Sequence, residues 1–209
     1  MTNVARSLLF ALTITVAGAA AAADVKGPPA DSRGITATVH REGEEIVVDV
    51  DLVVEATPQQ AWDVLTDYGH MAQFVSDLAA SSIVRRDGMT VVVAQTGRLK
   101  LGLFEMRMQN VREIELVPLR EIRSRLVSGD MKASAFTPRI AAEGNVTRIT
   151  NHGRFIPDRW IPPVIGPAVL EAETRKQFAE IRAEILRRQQ AGRAAPAIAG
   201  AVDSAYLSH

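Results

Sequence analysis

The sequence predicts an α+β domain: an antiparallel sheet of about seven strands, two short helices after the first strand, and a long helix near the C-terminus. Three observations carry this. Residues 44–56, EEIVVDVDLVVEA, alternate, with Ile46, Val48, Val50, Leu52 and Val54 on one face and Asp49, Asp51 and Glu55 on the other. From Asp77 to Pro157 the β-rich runs are separated only by short turns. From Pro167, residues Leu170, Thr174, Phe178, Ile181 and Ile185 form one helical stripe.

The chain opens with MTNVARSLLFALTITVAGAAAAADV, in which Arg6 is the only charge before Asp24. An apolar run from Leu8 to Ala17 leads to the small-residue site Ala21-Ala22-Ala23. This is the pattern of a secretory signal peptide over 1–23, cleaved before Asp24, and it predicts a periplasmic or secreted product. A retained membrane anchor is the alternative reading; the run is short and alanine-rich for a span. Residues 24–40, with Gly27, Pro28, Pro29, Ser32 and Gly34, read as a linker. The domain proper is expected over 41–190, and 191–209 as a disordered tail beginning near Gly192.

Composition narrows the chemistry. The absence of cysteine excludes disulfides, thiolate nucleophiles and zinc–thiolate sites. Acidic and basic residues balance at 24 each, with no basic run, so nucleic acid finds no electrostatic footprint.

The elements follow in order. Thr57 is an N-cap, Pro58 suits the first helical position and Gln60 completes a capping box. Ala61, Val64, Leu65 and Tyr68 recur at helical spacing to Gly69, and a second short helix is expected from His70 to Phe74. Asp87-Gly88, Ser128-Gly129-Asp130 and Gly144-Asn145 mark turns between strands. Phe104, Met106 and Met108 share a parity that Ile114 and Leu116 keep. After the proline-rich stretch PDRWIPPVIGP, the final helix carries Glu171 and Glu173 near its start and Arg187 and Arg188 near its end, matching its dipole.

Two segments resemble a known family. VEATPQQAWDVLTDYGHMAQFVSDLAASSIVRRDG is similar to the segment after the first strand in the polyketide cyclase and ubiquinone-binding branch of the START-like (helix-grip, SRPBCC) superfamily. FIPDRWIPPVIGPAVLEAETRKQFAEIRAEILRR resembles that branch's last turn and helix. The resemblance spans roughly 44–190 and departs from the branch's common Pro-x-Phe at MAQFVSDL. It implies a curved sheet around the long helix with a cavity between them, and hence a hydrophobic ligand. It also implies that Trp62, Leu65 and Tyr68 are scaffold, with Phe74 at the cavity mouth.

On that basis the expected ligand-binding residues are Phe74, Phe104, Met106, Met108, Met131, Phe136, Phe155, Trp160, Leu170 and Phe178. Methionine suits irregular apolar ligands, although the same residues could simply fill a core. No catalytic residue, cofactor or metal site is expected. His40, His70, His152 and His209 lack metal spacing, and strand parity turns His152, Arg148 and Arg154 to solvent. Asn110, Ser124, Ser134 and Asn151 are the inward polar candidates. Arg98, Lys100, Arg107, Arg112, Arg120, Arg123 and Arg125 are read as one basic face, either merely solvated or able to touch an anionic membrane surface transiently. Three functions stay open: an exported carrier of a lipid or isoprenoid quinone, a cyclase or dehydratase acting on a polyketide-like substrate, and an interaction module with a filled core.

Overall fold

The alternation in residues 44–56 produces what it predicts. In the computed structural model, which describes the backbone of residues 31–101, 104–158 and 166–206, Glu45–Val54 is a strand with its even-numbered side chains buried. It is the second of eight strands among the described residues. A first strand, β1 (Ile35–Glu42), pairs antiparallel with β2 (Glu45–Val54). β1 lies largely inside the segment expected to be a linker. Ile35, Ala37 and Val39 alternate there and are buried, but a three-residue pattern containing an alanine is a faint signal beside Gly34 and two prolines.

Helix α1 (Pro58–Leu65) follows with the expected capping box: Gln60 N–H donates to Thr57 Oγ1 (3.3 Å) and Thr57 N–H to Gln60 Oε1 (2.9 Å). The second helix is shorter than expected, a single 3-10 turn at Met71–Gln73. Strands β3 (Leu78–Asp87), β4 (Thr90–Leu101), β5 (Phe104–Val117), β6 (Glu121–Gly129), β7 (Met131–Glu143) and β8 (Val146–Pro157) form a meander. The spatial order is β1-β2-β8-β7-β6-β5-β4-β3, and every pairing is antiparallel. Gly88 and Gly144 take positive φ at two of the turns, as the Asp87-Gly88 and Gly144-Asn145 pairs predict.

Helix α2 (Pro167–Tyr206) packs its Phe178, Ala179, Ile181 and Ile185 against the sheet and α1. It runs through Gly192 and most of the stretch expected to be a tail. Seven of the sixteen residues from Ala191 to Tyr206 are alanine, the strongest helix former, and they outweigh Gly192, Pro196 and Gly200 there. No helix among the described residues is long and apolar enough to cross a membrane. Charged contacts fix the helix in place. Glu171 accepts from Val39 N–H (3.1 Å) and Glu180 from Ser76 N–H (2.9 Å). Arg188 bonds both Asp67 and Glu184 at 2.7 Å, with its guanidinium 5.6 Å above the Phe74 ring. Asp67 also bonds His70 (2.7 Å).

Candidate functional site

Strand register decides what faces the helix. Ile114 stands opposite Val91 and Ser124, and Ile149 opposite Leu52 and Ile140. Toward the end of the sheet that carries the β3–β4, β5–β6 and β7–β8 turns, the inner face is closed: Val54, Val91, Ile114, Ile122, Ile140 and Ile149 are buried. Toward the other end the same strands present Met108, Arg112, Leu126, Phe136 and Phe155, which keep accessible surface although they face inward. Well-packed interiors leave few voids, so side chains that face inward and stay accessible border space the core does not fill.

Arg112 is the centre of this region. Its side chain is part-buried on the inner face, and its partners are neutral: Asn110 Oδ1 accepts from Nε (3.2 Å), Ser124 Oγ from Nη1 (3.3 Å) and Ser134 Oγ from Nη2 (2.9 Å). The guanidinium carbon sits 4.8 Å from the Phe136 ring centroid, and that ring stacks on Phe155 at 6.4 Å. No carboxylate among the described residues reaches it. Burial pushes its pKa down to about 10, against a smaller opposing effect from Tyr68, which leaves it a cation at neutral pH. The buried Tyr68 phenol is pushed upward by burial and remains a neutral donor.

The reading of Arg112 as part of an outer basic face is therefore corrected. It shares the parity of Met108 and Ile114, which was the available signal; its charge outweighed it. Among the arginines that do face outward, Arg98 pairs with Glu105, Arg123 with Glu115 and Glu121, and Arg125 with Glu113. Such pairs cancel much of the positive field that an anionic membrane would sense.

The expected ligand-binding residues separate. Phe136 and Phe155 come together beside Arg112. Met108, opposite Gly97, Met131 at the start of β7 and Leu170 in the first turn of α2 are half-buried. Phe178 is in the buried core. Phe74 packs under Arg188 on the α1 side. The side chains of Phe104 and Met106, and the whole of Trp160, lie outside the described residues. Asn110, Ser134 and Asn151 are buried as parity predicts. His152 is exposed, with Nδ1 2.7 Å from Asp49 Oδ1, its partner in register across β2–β8. A shallow depression of about 350 Å³ on that outer face is lined by Thr36, Thr38, Asp51 and Thr150 beside this pair.

Similarity to known proteins agrees with the fold. Residues 54–135 match the family described as polyketide cyclase / dehydrase and lipid transport. No curated protein sequence matches the chain. Among solved structures, a STAR-related lipid transfer protein from Xanthomonas axonopodis superposes with a TM-score of 0.62 at 12% identity, over 74% of this chain and 95% of its own. The fold is START-like. The Zhui aromatase/cyclase from Streptomyces sp. R1128 gives 0.58 at 18% identity, over 72% and 98%. A START superfamily protein from Mycobacterium smegmatis gives 0.57 at 11%, over 68% and 97%. The matched segment of the START-like chain contains Arg112, Ser124 and Ser134 and ends before Phe136, Asn151 and Phe155.

Proposed function

We propose that this START-like domain binds and carries an apolar small molecule whose polar end bears an anionic or carbonyl oxygen, seated on the inner face with that oxygen on Arg112. The observation that carries the reading is the Arg112 guanidinium itself: part-buried on the inner face, cationic and, among the described residues, bonded only to neutral oxygens. A buried charge without a counter-charge is a cost to folding, and a ligand oxygen would offset it. Phe136, Phe155, Met108 and Leu170 supply the apolar surroundings, and a few placed polar groups in an apolar pocket are what orient a small ligand. A lipid acid or an isoprenoid quinone has this build. The lipid transport family match and the STAR-related lipid transfer neighbour support the carrier class.

Export belongs to the same reading. Residues 1–23 would direct the protein out of the cytoplasm, and a carrier of apolar molecules is useful where such molecules must cross water between membranes. Intact-mass measurement on envelope fractions should give a chain beginning at Asp24; a full-length cytoplasmic species would remove this part.

The second reading, a cyclase or dehydratase, is favoured by the convergence of Arg112, Ser124, Ser134 and Asn110. A buried guanidinium can stabilise oxygen charge developing on a polyketide-like substrate. None of these four groups is a base at neutral pH, so binding is the stronger conclusion.

Native mass spectrometry of protein purified from its own envelope tests the proposal. An apolar adduct is expected on wild type and is expected to be lost from Arg112→Met. A wild-type protein that carries no adduct and binds no apolar probe would leave only a packed module.

A further inference from the structure

Asn151 is the one described residue whose side chain holds a buried polar atom without a partner: Oδ1 is shielded from solvent and accepts no hydrogen bond. The residue is 5% exposed. It lies on β8 between Ile149 and Gly153, both inward, and opposite Val50 and Pro138. Native proteins satisfy nearly all such atoms, and an orphan asks for an unseen partner.

Its position relative to Arg112 follows from the register. Arg112 stacks over Phe136, and Phe136 stands opposite Gly153. Asn151 is two residues along β8 from Gly153, one strand across from Phe136. Sheet spacing puts its Cα about 8 Å from that of Phe136, whose ring carries the guanidinium. It also marks the boundary between closed core and open half: Ile149 is fully buried, whereas Phe155, beyond Gly153, keeps accessible surface.

We infer that Asn151 is a second polar subsite and that the ligand carries a hydroxyl there, at some distance from the oxygen held by Arg112. A hydroxyl both donates and accepts, so it satisfies the amide whichever way the amide is turned. The two subsites together select an elongated apolar hydroxy acid or hydroxy ketone over its deoxy counterpart. This rests on the proposed seating of an apolar ligand on Arg112 and adds its substitution pattern.

Three fluorescent probes test it: 2-naphthoic acid, its 6-hydroxy derivative, whose hydroxyl lies far from the carboxylate, and its 3-hydroxy derivative, whose hydroxyl lies beside it. Wild type should bind the 6-hydroxy acid about tenfold more tightly than 2-naphthoic acid, the worth of one good hydrogen bond. The 3-hydroxy acid should show no such gain. In Asn151→Leu the preference should vanish while 2-naphthoic acid binds as before. Asn151→Ser, which withdraws the amide while keeping a small polar side chain, should also lose the preference and serves if the leucine variant fails to fold. Equal wild-type affinity for 2-naphthoic and 6-hydroxy acids, or a preference that survives both substitutions, would overturn the inference and leave the carrier reading standing. Binding of none of the three would overturn both.

Discussion

The ring of Phe136 lies across the backbone of Gly153, its partner in register, so closely that a β-carbon at 153 would fall inside van der Waals contact with two ring carbons. Glycine is required there because an aromatic ring occupies its side-chain position, and that ring in turn supports Arg112. Gly153→Ala should cost about 1–3 kcal/mol, as overpacking does. Phe136→Leu in the same chain should restore part of the loss. Thermal melts of the two single variants and the double variant check this; additive losses would contradict the contact.

Arg112→Met should separate stability from binding. The methionine keeps much of the side chain's length and removes a charge without a counter-charge among the described residues, which offsets the lost bonds to Asn110, Ser124 and Ser134, so the melting temperature should change little. Affinity for an anionic apolar probe should fall at least tenfold, the scale of a charge-assisted hydrogen bond. A fall in melting temperature with binding intact would make Arg112 structural.

His152→Ala should change stability by no more than about 0.5 kcal/mol, since its bond to Asp49 is an exposed pair. Probe binding should be unchanged, because the ring is on the opposite face of the sheet from Arg112. Loss of binding or of a measured turnover in a folded variant would support the enzyme reading.

Acid should weaken the seat of α2. Bonds from Arg187 hold the Glu184 carboxyl below the usual carboxylate range against burial, with Arg188 adding to them. At Asp67 burial pushes upward, but bonds from His70 and Arg188 outweigh it. Both groups bind protons more readily when unfolded. Their contribution is therefore full above the ordinary values and is lost as pH falls through the lowered ones. Glu184→Gln should lower stability at pH 7 and flatten the decline that sets in as pH falls below the ordinary glutamate range. Glu173 has the opposite sign: burial, with Asp77 beside it, raises its pKa. Glu173→Gln should accordingly be more favourable at pH 7 than at pH 4. Melting curves across that range check both.

Local pattern carried most of the architecture. The strand alternation, the Thr57–Gln60 capping box and the Gly88 and Gly144 turns are all decided by near neighbours, and all are legible. The same parity placed Asn110, Ser134 and Asn151 inward. It also placed Arg112 inward, yet charge suggested solvent, because the neutral oxygens that receive the guanidinium come from positions 110, 124 and 134, and only pairing gathers them. The contact of Phe136 with Gly153 is likewise invisible until β7 and β8 are in register. β1 was hidden by weak alternation beside turn residues.

Strand β2 finds its second neighbour in β8, so Ile46 meets Phe155 only after everything between them has been made. The meander from β3 to β8 can zip through adjacent hairpins, each closing a short loop. The β2–β8 seam instead closes a loop of roughly a hundred residues, and such non-local pairing slows folding. Asn151 and Phe155 both lie on that seam. During synthesis the polar and aromatic ends of the site therefore cannot be completed until the last strand has emerged. A chain cut before residue 146 would retain Arg112 and its serine partners on an open sheet with nothing to hold a ligand against them.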